Sequence, residues 1–326
     1  MTTTGRALPP TDAFYTQVAM PDSHWQQSRP TLARAVPLLR PDWLPESVWP
    51  FQTFGVKVDG SVLAVTDVGE GPALLFVHTG FWSFIWRDVI TRLAADFRCV
   101  CFDSPGTGRS ARVPKGMITL EGASRAVAGV VDALDLQNFT LVAHDLGGPA
   151  SLAAVARTPK QVRAIAAVNA FAWRPSGKAF RGMLRLMGSA PMREFDAWTQ
   201  MVPRISASNF GAGRHLDPPS RRAFLSGIGR SGVRTFHGYM HNALRCDDLY
   251  QGIARAMAGP LRSLPVLTVF GEYNDPLGFQ PTWKKLYPDA KQVIVPKGNH
   301  FPMCDNPELV AEAIRTWYRE TVEPRG

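Results

Sequence analysis

Apolar and polar positions along this chain alternate between two rhythms. Short apolar runs recur at Ala73-Leu74-Leu75-Phe76-Val77, Arg98-Cys99-Val100-Cys101-Phe102-Asp103 and Phe139-Thr140-Leu141-Val142-Ala143, and again over 162–169, 265–270 and 292–295. Each has the length and the β-branched or aromatic content of a buried strand. Helical spacing appears between and after them, over 123–134, 147–157 and 307–318. Ahead of them, 55–58 and 61–68 alternate around Asp59-Gly60, which predicts a hairpin. Strands alternating with helices predict an α/β fold, a mainly parallel sheet with helices on both faces. The interval 171–262 breaks the rhythm: it lacks strand patterning and carries helix-like runs such as 180–187. Inserted between two sheet strands, it predicts a helical lid over the C-terminal strand ends, where open α/β sheets bind ligands. Residues 1–40 read as an irregular, Pro-containing N-terminal arm that packs on the body through Trp25. The core is then 41–170 together with 263–326.

Composition narrows the partners. At 326 residues, one large domain with an insertion is favoured over two independent ones. No run approaches ~18 consecutive apolar residues, so no transmembrane helix and no membrane partner are expected. Residues 1–30 are polar and broken by Pro9, Pro10, Pro21 and Pro30, unlike a secretion signal. Cys99, Cys101, Cys246 and Cys304 lack metal or redox spacing and read as free thiols of a cytoplasmic protein. With no ligand cluster and no phosphate-cradling glycine loop, neither a metal nor a cofactor is expected. The net charge is +9, and 171–262 alone holds 14 Lys/Arg against five acids, an excess of nine. A nucleic-acid partner needs a basic stripe with aromatic or fold support. Neither is visible, so the charge reads as a solvated lid face. The oligomeric state is left open.

The chemistry starts at His144-Asp145-Leu146-Gly147-Gly148. A strand turns into a helix through Asp145, with the small residues Ala143 and Gly147 on either side. This is the nucleophile-elbow pattern of the α/β-hydrolases, and no G-x-S-x-G occurs in the chain. The helix that follows aims N–H groups and its positive dipole end at the carboxylate. An Asp nucleophile attacks an sp³ carbon, and water must then hydrolyse the resulting ester with a His as base. The acid and the His follow in chain order. Asp275 past the strand ending at Phe270 is the natural orienting acid, with Glu272 and Asn274 its neighbours. His300, 25 residues later, is the natural base. The oxyanion donors expected are the backbone N–H of Leu146 and that of Gly80, with Thr79 the fallback. His144 is expected to point back into the sheet.

These motifs resemble the haloalkane dehalogenase and epoxide hydrolase branch of the α/β-hydrolases, closer to the dehalogenases. The likeness runs from about residue 40 to 318. It includes Pro41-Asp42-Trp43-Leu44-Pro45, Trp82-Ser83-Phe84-Ile85-Trp86, Asn169-Ala170-Phe171-Ala172-Trp173, Asn299-His300-Phe301 and Asp305-Asn306-Pro307. It implies an Asp–His–Asp triad. It also implies a pocket for a small apolar substrate, for which Phe81, Trp82, Trp173, Trp198 and Tyr239 are the candidate walls. Two departures bear on the substrate. Dehalogenases carry a halide-holding Trp directly after the nucleophile, where this chain has Leu146. Their His-Gly-Asn-Pro loop supplies a second donor, where this chain has His78-Thr79-Gly80-Phe81. Trp82 or Trp173 is the candidate replacement. Epoxide hydrolases instead need lid tyrosines as acids. Tyr239 is the best candidate and Tyr250 the second, while Phe195 and Trp198 occupy the region of the other lid tyrosine. The reading is an Asp-nucleophile hydrolase, dehalogenase-like, with an epoxide hydrolase as the alternative. A ligand-binding protein that keeps the fold without turnover is the third possibility.

Overall fold

The computed structural model describes residues 35–110, 112–275 and 277–325; Trp25 lies outside them. Ala35–Val36 (β1), Phe54–Val58 (β2) and Ser61–Val68 (β3) pair antiparallel in sequence order. Asp59 and Gly60 at the hairpin tip have φ of 46° and 73°. A two-residue turn matching the strand twist requires positive φ at both. The expected irregular arm is thus corrected at its end, where Ala35 and Val36 add a short strand beside Val56 and Gly55.

The chain continues through β4 (Ala73–Val77), α1 (Arg87–Leu93), β5 (Arg98–Phe102), α2 (Leu120–Ala133), β6 (Phe139–Asp145), α3 (Gly147–Val155) and β7 (Val162–Ala170). Five helices follow: α4 (Lys178–Met187), α5 (Ala190–Thr199), α6 (Met201–Ser206), α7 (Pro218–Asn242) and α8 (Asp247–Ala258). The sheet resumes with β8 (Val266–Gly271), α9 (Phe279–Leu286) and β9 (Lys291–Val295), and α10 (Pro302–Asp305) and α11 (Pro307–Trp317) follow. The strand order is β1-β2-β3-β5-β4-β6-β7-β8-β9, antiparallel as far as β5 and parallel from there on.

The inner strands are apolar without interruption because both faces are covered. Leu75, Val77, Val100, Phe102, Leu141 and Ala143 join one core; Leu74, Phe76, Cys99, Cys101 and Val142 join the other. Successive side chains of a strand must divide in this way. β9 departs from expectation. Its apolar run predicts a buried strand, yet it is the sheet edge, with Gln292 and Ile294 exposed and Val295 buried. A run of four residues carries no record of its place in the strand order. The four cysteines are free thiols; Cys99, Cys101 and Cys246 are buried.

Two features place the loops above the strand ends. Asp103, fully buried past β5, accepts hydrogen bonds on Oδ1 from the Ser83 N–H (3.1 Å) and the Ser83 hydroxyl. Its Oδ2 accepts from the Arg109 N–H (2.9 Å) and Nε (3.0 Å). The loops after β4 and β5 are thereby fixed to one carboxylate. α7, bent at Gly229 (φ 53°), lays Phe224 and Phe236 against Phe81 just past β4, with ring centroids 6.0 and 5.7 Å apart. Among the described residues, no helix is long and apolar enough to cross a membrane.

Candidate active site

β6 passes into α3 with only Leu146 between them. Asp145 takes φ 50°, a left-handed conformation that costs a non-glycine residue about 1–3 kcal/mol and persists where surrounding structure enforces it. The β6–β7 register slips at the same point: His144 faces Val168, but Asp145 faces Ala170. The skipped Asn169 also has positive φ, 43°. A Cβ on Gly147 would lie 2.7 Å from the Val77 carbonyl oxygen and 2.9 Å from His78 Cα, and one on Gly148 would lie 2.2 Å from the Phe171 carbonyl oxygen. Both glycines are therefore demanded by close backbone approach.

Asp145 and His300 come together, with His300 Nε2 3.8 Å from Asp145 Oδ2. That separation is a charge contact rather than a hydrogen bond, and catalytic pairs are often loose before substrate binds. Their side chains are 20% and 36% exposed, so the site is open to solvent. Burial pushes the Asp145 carboxyl up. It is outweighed by the His300 side chain beside it, by the charges of His300 and His144, and by the N–H of Leu146. The net effect holds Asp145 below the usual carboxylate range, so the group is ionised.

The loop bearing His300 is fastened through its main chain. The His300 carbonyl accepts from Asn169 Nδ2 (2.9 Å) and from His144 Nε2 (2.7 Å). His144 is fully buried, and burial followed by the nearby His300 and His78 holds it neutral, well below its usual range. Its proton is then on Nε2, so its Nδ1 accepts from His78 Nδ1 at 2.9 Å. Burial also drives His78 down, to about 3. The expected sheet-ward direction of His144 is seen, and its task is to hold the His300 backbone. Asn169 adds more: Nδ2 donates to the Asn299 carbonyl (2.9 Å) and Oδ1 accepts the Gly271 N–H (3.0 Å). It ties β7, β8 and the His300 loop to one another. A polar residue next to the end of β7, after the apolar run Ala164–Val168, was the available signal for it. Asn169→Ala leaves the Asn299 carbonyl and the Gly271 N–H without the partner Asn169 supplies, while the His300 carbonyl keeps His144. It is expected to destabilise the protein by about 2–4 kcal/mol, measured as a lower urea midpoint at unchanged slope.

Asp275 requires correction. Its Oδ1 accepts the Phe279 N–H at 2.6 Å and its Oδ2 the Gln280 N–H at 2.9 Å, so the carboxylate caps α9 and neither oxygen meets His300. Unpaired N–H groups at a helix start bind a carboxylate strongly, and Asp275 lies within their reach. Glu272 points elsewhere too, accepting the Lys297 N–H at 2.7 Å. The side chain at His300 Nδ1 is that of Asn274, 3.3 Å away.

The expected substrate walls fare unevenly. Trp82 is fully buried and its indole N–H donates to the Phe224 carbonyl at 3.1 Å, which removes it as a halide donor. Trp198 is 77% exposed on α5. Trp173 packs on Phe279 and Trp283 and lines a cleft of about 550 Å³ with Tyr250 and Met257, whose walls include neither Asp145 nor His300. Tyr239 is fully buried and donates to the Pro105 carbonyl at 3.1 Å; burial raises its pKa. Tyr250 likewise donates to the Ala243 carbonyl at 3.1 Å. Phe81 alone sits beside the catalytic loops, packed between His78 and Phe301 and against α7. Trp82, Tyr239 and Tyr250 each found an apolar neighbourhood for the ring and a backbone carbonyl for the polar atom.

Of the expected backbone donors, one is seen at the carboxylate. The Leu146 N–H reaches the Asp145 carboxylate. Thr79 lies two residues past the end of β4, whose last pair with β6 is Val77↔Ala143. The Thr79 hydroxyl is buried without a hydrogen-bond partner, and Gly80 follows with φ 80°.

The sequence pattern of the α/β hydrolase fold family matches residues 72–307, and the chain belongs to that family as an α/β-fold hydrolase. It is similar to haloalkane dehalogenase 2 of Mycobacterium tuberculosis, 27% identical over 290 residues that cover 84% of this chain and 97% of that one. An epoxide hydrolase of Caballeronia sordidicola is 30% identical over 155 residues, 46% of each chain. In structure it is similar to the haloalkane dehalogenase DbeA of Bradyrhizobium elkani, with a TM-score of 0.72 over 84% of this chain and 99% of that one at 19% identity. That last likeness concerns the fold.

Proposed function

We propose that this chain is a haloalkane dehalogenase-like hydrolase that displaces halide from small, largely apolar molecules through an ester on Asp145. The observation that carries the reading is an ionised carboxylate on a strained elbow at the start of α3, with the imidazole of His300 3.8 Å away. A carboxylate forms an ester by displacing a leaving group from sp³ carbon, and water with His300 as base then cleaves that ester. The Leu146 N–H, with Gly80 or Thr79, stabilises the oxyanion of the second step. A small molecule and water are the partners, and no cofactor takes part. The four free thiols fit residence in the cytoplasm.

Halide is favoured over epoxide because an opening epoxide oxygen needs a proton. The hydroxyls of Tyr239 and Tyr250 are both spent on backbone carbonyls. A departing halide needs only donors, and the Thr79 hydroxyl is a buried donor without a partner. Leu146, 2% exposed, stands where an indole donor would serve. Leu146→Trp is expected to raise bromide release from a bromoalkane panel about 10–100-fold, the effect of one charge-assisted hydrogen bond donated from a buried position. Overpacking offsets this with a loss of about 1–3 kcal/mol of stability, so melting temperature is measured beside the rate. A folded variant with no gain, alongside wild-type epoxide opening that Tyr239→Phe abolishes, moves the assignment to epoxide hydrolase.

A further inference from the structure

We infer that Asn274 is the positioning residue of His300, and that its neutral amide makes hydrolysis of the Asp145 ester the slow step of the cycle. The inference rests on the Asp145 nucleophile proposed above. Asn274 Nδ2 lies 3.3 Å from His300 Nδ1. Asp275 and Glu272, the two acids of the same loop, bind the N–H groups of Phe279, Gln280 and Lys297. The groups around the imidazole are thus Asp145 at Nε2, Asn274 at Nδ1, and the neutral His144 on the main-chain carbonyl.

An amide N–H donating to Nδ1 leaves the imidazole proton on Nε2, facing Asp145. That tautomer suits the first step. The Asp145 oxygen forms a bond to carbon as the carbon–bromine bond breaks, and the electron pair leaves with bromide; His300 gains and loses nothing. The second step needs the other tautomer. Water oxygen attacks Cγ of the ester, its proton must pass to a lone pair on His300 Nε2, and the alkoxide that departs from Cγ takes a proton back. His300 can do this only after the Asn274 amide turns its Oδ1 toward Nδ1. The imidazolium then formed faces an amide dipole instead of a full negative charge. In the Ser-His-Asp arrangement, changing the orienting carboxylate to its amide lowers turnover about 10⁴-fold through the wrong tautomer. Here the amide is the native group, so alkylation proceeds and ester hydrolysis lags.

The test compares wild type, Asn274→Asp and Asn274→Ala with 1-bromobutane in rapid-quench bromide release and intact-protein mass spectrometry. Wild type is expected to release a burst of about one bromide per site and to carry a butyl adduct on Asp145 in the steady state. Asn274→Asp is expected to lose the burst and the adduct, to raise the steady-state rate at least about tenfold, and to move the acid limb of that rate to higher pH, since a carboxylate favours the protonated imidazole. Asn274→Ala should keep the burst and hydrolyse more slowly still. A purely structural Asn274 would change melting temperature and leave the ratio of burst to steady state alone. Adduct decay equal in all three folded proteins overturns the inference. No adduct in any of them, with bromide release untouched by Asp145→Asn, overturns the nucleophile reading itself.

Discussion

His300→Phe is expected to react once and stop. With no base to deprotonate water, the ester on Asp145 persists, and intact-protein mass spectrometry should find the protein heavier by one alkyl group after exposure to a bromoalkane. Steady-state turnover should fall about 10²–10⁴-fold, while the first bromide is released at the wild-type rate. The physical basis is that attack on carbon requires no proton from His300; with the His300 influence gone, His144 and the Leu146 N–H still oppose burial in keeping Asp145 ionised, so the first bromide is compared at a pH well above the carboxylate range. Normal turnover by the variant would remove His300 from the mechanism.

Asp103→Ala is expected to bring a large loss of stability. The Asp103 carboxylate has no solvent exposure and accepts from Ser83 and Arg109. Arg109 is itself nearly buried and also donates to Thr53 at 2.6 Å. Removing the acid leaves a buried guanidinium without its counterion, which costs about 3–5 kcal/mol. In a chain of this size that lowers the melting temperature by roughly 4–7 °C. The loops after β4 and β5 both lose their anchor, so Thr79 and Gly80 should lose their position with it. Thermal unfolding by circular dichroism measures the first effect. A drop under 2 °C would mean that the carboxylate contributes no more than an exposed pair does.

The elbow, the base and most of the sheet were legible before any coordinates because their signals are local. A buried strand must be apolar for its whole length, and a nucleophile between strand and helix must have small neighbours. Both demands are written within about ten residues. His300 was legible through chain order and its place after the last strand. Where competing partners decide an outcome, local signals fail. Asp275 and Asn274 are adjacent in the same loop, and only the start of α9 determines that the carboxylate caps a helix while the amide meets the imidazole. Asp145 and His300 are brought together, but the third member of the expected set is engaged elsewhere. The adduct experiments are therefore the measurement that separates a hydrolase from a ligand-binding protein without turnover.

The aromatic candidates follow the same physics. Trp82, Trp173, Trp198 and Tyr239 are all consistent with pocket walls by position in the chain. Tertiary packing put Trp82 and Tyr239 in the interior with their polar atoms on carbonyls, Trp173 on another cleft, and Trp198 in solvent. A sequence states that a ring needs an apolar neighbourhood but not which one it obtains. By itself this sequence determined the α/β-hydrolase fold and the candidate positions Asp145 and His300, since each follows from short-range pattern and chain order. Only the tertiary structure decided which group orients His300, which hydroxyls are free to donate, and which strand forms the sheet edge. Those outcomes depend on hydrogen bonds and contacts between residues far apart in the chain.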